Sequence, residues 1–559
     1  MGNLLNLEES ILDNKDPNAW MENYLIDMRE YLERHPIEPI PTDHVAFSKD
    51  NLAKRSGMEW LNGVECNLLY PMYNGVTEQI QQLRDFAAEL KEKANRIPYE
   101  FAPEIFTDHT NKYLVDYNEP VLALDTETTG LDTRIVYGYD GKLIKKVSLV
   151  GTCIAYSDSV GYYLPVMNTE EDGIPNWNSR AMIEFLDQIH DEFTLVYHNA
   201  PYDREVVTIN GAQKIRPFPY FFDTQLIFFL SDCNQATSGL KLLSEKILGR
   251  KMIELVELFQ EAGMKFKSKA DTVITFDRIS ATTATVYACS DPLSTLGLLQ
   301  HYAAQGDPEN VFRNQPIPLT IDHKMVDTLR DLYRNGLPIN YWYCYHAVKD
   351  VIYRVKLLTE NIYKQAGKEF NISSPAQVSR ILFDENNIPV LPGMKRGAPS
   401  KKDPNGLYST AAEILEELNA KYPQYEILHS IVKFRQLENI MIKMFLPMMA
   451  NSFVDAFIPY TRVRLSYQQT VVPTGRLSSS SNSGRERVIV GTTDKGSISL
   501  KYKRGAWDCG FNSQGVNNDP FRTAKARHIL TIPELAGINI ENPYPNFVMD
   551  EMVKNIAGI

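Results

Sequence analysis

The chain has 559 residues, 43% of them hydrophobic and 23% charged, with a net charge of -12. That length exceeds what a single hydrophobic core supports, so three or four compact units are expected. No apolar run approaches the roughly 20 residues that span a bilayer, and the start, MGNLLNLEESILDNKDPNAW, has neither the basic end nor the apolar stretch of a secretory signal. A cytoplasmic protein without a membrane span is the expectation. The six cysteines, Cys66, Cys153, Cys233, Cys289, Cys344 and Cys509, form no pattern at zinc-ligand spacing and read as free thiols.

In chain order, residues 1–115 read as a mostly helical region of no evident chemistry, with one amphipathic stretch from Val76 to Ala94. The cluster Tyr70, Pro71 and Tyr73 reads as a packed loop or a recognition surface. From Val121 the texture changes to short β-rich runs: VLALD, then IVYGY and KKVSLVGTCIAYS about an Asp140-Gly141 turn, then VGYYLPV. Helical patterns then alternate with a further strand, TLVYHN, as far as a helix from about Ala281 to Gln305. Residues 116–310 are thus expected to form an α/β unit. Residues 311–455 lose strand character and carry long amphipathic helices: PAQVSRILFDE, TAAEILEELNAKY and ILHSIVKFRQLENIMIKMFLPMM. Strand-like segments return in 456–559, beginning with AFIPYTRVRLSYQQTVV.

The sharpest chemical signal is Asp125-Thr126-Glu127-Thr128-Thr129-Gly130 at the end of the apolar run VLAL. Side chains two apart on a strand share a face, so Asp125 and Glu127 project together, and paired carboxylates call for a positive charge between them. Hard divalent cations such as Mg²⁺ or Mn²⁺ suit those oxygens. Alone, such a pair also fits a solvated strand end. HNAPYDREVV then sets Asp203 at the start of a helix, and YACSDPLSTLGL sets Tyr287 and Asp291 four apart on one helical face. Asp203 alone reads equally as a helix cap and Asp291 as a surface charge. If they converge, Asp125, Glu127, Asp203 and Asp291 make a set able to hold two ions about 4 Å apart for phosphodiester hydrolysis.

The segments DTETTG, HNAPYD and YACSD, in this order, resemble the three motifs of the DEDD-type 3′→5′ proofreading exonucleases with tyrosine in the third motif. The resemblance implies an RNase H-like fold in which Asp125 bridges two Mg²⁺ or Mn²⁺ ions, Glu127 and Asp291 complete one site, Asp203 serves the other, and Tyr287 orients the attacking water. It extends to FDTQLIFFL around Asp223 and SGLKLLSEKILG around Lys241. His198 matches no catalytic position and reads as structural. Single-stranded DNA 3′ ends are the implied substrate.

RLSYQQTVVPTGRLSSSS resembles the segment that precedes the palm of family A DNA polymerases, and NISSPAQVSRILFDE, STAAEILEEL and the helix around Arg435 resemble the thumb of that family. The implied fold is an RNase H-like exonuclease domain, a mainly helical thumb-like region and the beginning of a palm. The resemblance implies primer-template contacts from Thr474, Gly475, Arg476, Ser478 and Ser479, and from Asn512 and Gln514 of an Asn-x-Gln block. Between these lies an insertion, residues 484–510, in a locally basic stretch. From Arg485 to Arg527 there are nine basic residues and four acidic ones, which suits a phosphate backbone or an ordinary solvated face. The DxSQxExR block, the nucleotide-binding helix and the later His-Asp pair of the family are not among the 559 residues. Acting alone, this stretch is expected to trim DNA and not to extend it. The leading expectation is the N-terminal piece of a split or truncated polymerase, as in a bacteriophage acting in its host's cytoplasm, with a second polypeptide carrying palm and fingers. A free-standing exonuclease and a non-catalytic DNA-binding or assembly subunit are the alternatives.

Overall fold

The computed structural model describes residues 48–96, 119–130, 133, 135–137, 143–145, 147–170, 172–234, 238–261, 276–305, 310–339, 341–401, 403–445, 448, 452–454, 461–463, 465–480, 486–492 and 498–503. The described residues divide into two compact units, not three or four: one contains those of 27–335 and 466–505, the other those of 336–465. Among the described residues no helix is long and apolar enough to cross a membrane.

The first unit is built on a six-stranded mixed sheet. Its strands are β1 (Glu65–Leu68), β2 (Val121–Thr128), β3 (Leu149–Ala155), β4 (Val160–Pro165), β5 (Thr194–Tyr197) and β6 (Phe221–Asp223), in the order β1-β4-β3-β2-β5-β6. The pairs β2–β3 and β3–β4 are antiparallel, whereas β1–β4, β2–β5 and β5–β6 are parallel. Val121, Leu122, Ala123 and Leu124 of β2 are all buried, as an uninterrupted apolar run in a strand covered on both faces should be. The run IVY at 135–137 pairs antiparallel with LIK at 143–145, which lies ahead of the expected partner KKVSLVGTCIAYS; the Asp140-Gly141 turn between them lies outside the described residues.

Two boundaries differ from the sequence reading. Glu65–Leu68, assigned to a separate helical region ending at 115, is instead the edge strand of this sheet, and helix α1 (Val76–Lys93) packs on helix α2 (Ser179–Glu192). Four residues of mixed polarity, ECNL, carry too little alternation to stand out as a strand. At the other end, the unit continues past 310 through a helix that ends at Asn335. Val311, Phe312, Leu319 and Val326 are buried in the same core as the sheet.

Helix α3 (Ala200–Ile209) follows β5, helix α4 (Thr224–Ser231) follows β6, α5 (Ala281–Ala304) packs across β1, β2, β3 and β4, and α6 (Pro316–Asn335) packs on α3 and α4. Helix α5 is buried on nearly all sides from Ala284 to Leu299, which explains why it lacks a clear polar face. Ser280 caps it by accepting from the backbone N of Thr283.

The second unit has its own core, from Cys344 to Phe445. It contains β7 (Leu337–Ile339), α7 (Tyr341–Ala366), α8 (Pro375–Ser379, continued by a wider turn to Glu385), α9 (Ala412–Lys421) and α10 (Glu426–Ile440), closed by β8 (Ser452–Val454) and β9 (Thr461–Val463). The helices fall where the amphipathic periodicity puts them. Strand β9 pairs antiparallel with both β7 and β8. Strands β10 (Ser466–Gln468) and β11 (Ser478–Ser480) form a hairpin in the first unit, where Gln469 donates to the carbonyl of Asp322 at 2.9 Å. The locally basic segment contains an antiparallel ribbon, β12 (Glu486–Thr492) with β13 (Ile498–Lys503).

Candidate metal-dependent nuclease site

The end of β2 is where the acidic residues gather. Asp125 stands opposite Cys153 and Glu127 opposite Gly151 on β3. Immediately after Glu127 the register shifts, so that Thr128 faces Leu149, an irregularity of the kind that re-aims side chains at functional sites. Gly151 is required here by space: a Cβ on it would lie 2.3 Å from the Tyr163 ring and hydroxyl.

Asp203 arrives from α3. Asn199, at φ 74°, turns the chain out of β5, and Asp223 fixes that turn by accepting from the backbone N of Asn199 (3.0 Å) and of Ala200 (2.8 Å). Asp203, 3% exposed, then meets β2, where one carboxylate oxygen accepts from the backbone N of Thr126 at 3.0 Å and from its Oγ1 at 2.6 Å. The Tyr202 hydroxyl binds Thr128 Oγ1 and the Gly130 carbonyl, both at 2.7 Å, which ties α3 to the strand end.

Tyr287 and Asp291 come from α5, one turn apart, where Tyr287 is 7% exposed. Oε1 of Glu127 and Oδ1 of Asp291 are buried and have no hydrogen-bond partner. Unpaired carboxylate oxygens are costly to bury, and a bound cation is the natural remedy. The four acidic residues offer only carboxylate oxygens, which fit Mg²⁺ or Mn²⁺ better than softer metals.

Electrostatics report the same crowding. Burial, then the charges of Asp203, Asp291 and Glu127, raise Asp125 well above the usual carboxylate range. Burial and Asp291 do the same to Glu127. Burial lifts Asp203 to about 7 against the pull of the Thr126 bonds, and lifts Asp291 to about 6. Burial and the neighbouring carboxylates hold the Tyr287 phenol well above its ordinary value, so it stays protonated and able to donate. Lys241 supplies the opposing charge, easing ionisation of Glu127 and Asp291. Its Nζ donates to the carbonyl of Ile253 (2.6 Å) and to Glu254 (3.3 Å) and sits 5.0 Å from the Tyr287 ring centroid.

All five residues singled out in the sequence therefore meet at one site, though not equally closely. Among the described residues, Asp125, Glu127 and Cys153 offer metal-capable atoms within 4.8 Å of one another. Asp203 and Asp291 interact with them electrostatically from outside that group. Burial and the adjacent carboxylates raise the Cys153 thiol well above its ordinary value, which makes it a neutral lining group. His198 bonds Thr224 Oγ1 and the Ser238 carbonyl, with burial lowering it to about 4, as a structural histidine would be. Thr126 was missed in the sequence: nothing in a DTET string says which carboxylate its hydroxyl will hold.

The expected DNA-contact residues lie elsewhere. Thr474, Gly475 and Arg476 are exposed at the tip of the β10–β11 hairpin, with Gly475 at φ 71° and its N donating to the Val472 carbonyl. Ser478 is half-buried and Ser479, opposite Tyr467, is 5% exposed. Asn512 and Gln514 lie outside the described residues.

Residues 343–483, which include this hairpin and the helical unit, match the model of DNA polymerase family A. The chain is related to the family A DNA polymerases. DNA polymerase I of Borreliella burgdorferi is 25% identical over 495 residues, covering 85% of this chain and 45% of the relative. DNA polymerase I of Chloroflexus aurantiacus is 27% identical over 369 residues, 65% of this chain and 34% of the relative. The chain thus spans less than half the length of these curated relatives. A solved structure described as the POL domain of Pol1 from M. smegmatis in complex with DNA primer-template and dNTP covers 60% of this chain and 48% of its own, at 18% identity and a TM-score of 0.41.

Proposed function

We propose that the first unit is a 3′→5′ DNA exonuclease of a family A polymerase system, removing nucleotides from single-stranded or frayed 3′ ends. The observation that carries this reading is the pair of unpartnered buried oxygens, Glu127 Oε1 and Asp291 Oδ1, beside Asp125 and Asp203. Two divalent cations held by Asp125, Glu127, Asp203 and Asp291 would activate water and neutralise the leaving oxygen of the phosphodiester. The protein's own part is positional. Thr126 fixes one oxygen of Asp203 and leaves the other for the site. Tyr287, kept protonated, donates to the attacking water or a phosphate oxygen and does not act as its base. Lys241 offsets part of the carboxylate repulsion.

The helical second unit and the β10–β11 hairpin are assigned to holding primer-template DNA, with Arg476 forking onto phosphate. Nucleotide addition needs further paired carboxylates of the DxSQxExR kind. These are absent from the 559 residues, and we assign them to further chain or to a second polypeptide carrying palm and fingers. Incubating the protein with Mg²⁺ and a 5′-labelled strand tests the nuclease assignment. Stepwise shortening from the 3′ end, lost in Asp125→Ala, is expected; cleavage that persists in that variant would refute it.

A further inference from the structure

The strand register leads from the carboxylates to a second feature. Strand β1 runs parallel to β2, three strands away: Leu68 is level with Tyr163, Tyr163 with Cys153, and Cys153 with Asp125. Just past this level the chain leaves β1 as Leu69-Tyr70-Pro71-Met72-Tyr73. Three inter-strand spacings amount to about 14 Å, the length of about four stacked nucleotides.

Tyr70, Met72 and Tyr73 are 41%, 70% and 51% exposed, and Met167, which follows the neighbouring strand β4, is 38% exposed. Large side chains this open on a loop usually go with a loosely held backbone, but this backbone is fixed. Gln82 of α1 donates to the Tyr70 carbonyl (3.2 Å) and accepts from the Met72 N (2.9 Å). The buried Gln79 donates to the Tyr73 carbonyl (2.8 Å) and accepts from the Asn178 N (2.9 Å), and Trp177 donates to the Leu69 carbonyl (2.8 Å). The segment is thus pinned by α1 and by Trp177, just ahead of α2, while the side chains of Tyr70, Met72 and Tyr73 stay in solvent.

We infer that Tyr70, Met72 and Tyr73 form a stacking ledge for the single-stranded DNA whose 3′ end occupies the carboxylate site, contacting bases about four or more nucleotides from that end. The inference rests on the exonuclease reading for its direction. Base–aromatic stacking tolerates any sequence, as a trimming enzyme requires, and a preorganised ledge orders the strand at little entropic cost.

The test is a double variant, Tyr70→Ala with Tyr73→Ala, compared with Tyr70→Phe with Tyr73→Phe, which keeps the rings. All four substitutions are at exposed side chains. With Mg²⁺, KM for a single-stranded 12-mer should rise at least tenfold in the alanine variant, since each lost stack is worth about 1–3 kcal/mol. The trimer, too short to reach the ledge, should be cleaved as by the unaltered protein, and the phenylalanine variant should behave normally on both. Equal KM for the 12-mer, or equal losses on both lengths, would overturn the ledge. A metal-free arm keeps the two readings apart: anisotropy of a labelled 12-mer in EDTA should show the same weakening. If the unaltered protein cleaves nothing, the exonuclease reading fails, and unchanged binding in EDTA would still refute the ledge independently.

Discussion

Thr126 holds Asp203 twice through a single carboxylate oxygen, by its backbone N at 3.0 Å and its Oγ1 at 2.6 Å. The threonine sits between Asp125 and Glu127 in sequence, on the opposite face of β2, so one strand carries two carboxylates forward and grips a third from behind. Thr126→Val keeps the shape and the backbone bond but removes the hydroxyl. Hydrogen bonds to charged groups are worth about 1.5–3 kcal/mol, so kcat for 3′-end trimming should fall about tenfold or more, with KM nearly unchanged. Steady-state digestion of a labelled single strand measures this, and Thr126→Ser should recover most of the loss.

Protonation of the carboxylates predicts how the metal-free protein responds to pH. Asp203 at about 7 and Asp291 at about 6 stand above the ordinary value of 3.8, and burial and the neighbouring carboxylates also hold Asp125 and Glu127 well above theirs. The folded state therefore holds more protons than the unfolded chain. The stability these groups contribute is fully present below about pH 4 and is lost as the pH rises through 6 to 7 and beyond. In EDTA, Tm should fall between about pH 5.5 and 8, and Asp203→Asn with Asp291→Asn should flatten that slope. Added Mn²⁺ should raise Tm more at the higher pH, where the carboxylates are ionised to receive it.

Gly151 faces Glu127 across the strand pair, and any Cβ there meets the ring of Tyr163. Gly151→Ala should cost about 1–3 kcal/mol by overpacking and should lower nuclease activity by shifting the backbone opposite Glu127. Thermal denaturation and a cleavage assay on the same preparation test both effects.

In the helical unit, Arg435 of α10 donates to the carbonyl of Thr410 at 2.6 Å and to that of Ile372 at 3.5 Å, joining the start of α9 to the segment before α8. Arg435→Met leaves both carbonyls short of a donor. It should destabilise this unit by about 1–2 kcal/mol and leave trimming of a short single strand unaffected. Denaturant unfolding followed with the cleavage assay would detect a departure from either expectation.

The convergence of the acidic residues was more legible than the architecture around them. Carboxylates two apart on an apolar strand, and a tyrosine and aspartate four apart on a helix, have side-chain directions set by local geometry, so their convergence needed only the order of the segments. The edge strand Glu65–Leu68 was invisible because four residues show no usable period and its partner, β4, is nearly a hundred residues away. The boundary at 310 failed for a related reason. Helix α6 reads as one more amphipathic helix, and only packing reveals that Leu319 and Val326 complete the core of the sheet. Thr126, Lys241 and Gly151 act through partners distant in sequence, Asp203, Tyr287 and Tyr163, and their roles follow from contacts that local pattern does not encode.

The most direct test of the account is a 5′-labelled primer with a mismatched 3′ end, annealed to a template and incubated with the protein, Mg²⁺ and all four nucleotides, with Asp125→Ala alongside. The account predicts shortening that disappears in the variant and no extension by these 559 residues alone. Extension of the primer, or shortening that survives Asp125→Ala, would contradict it.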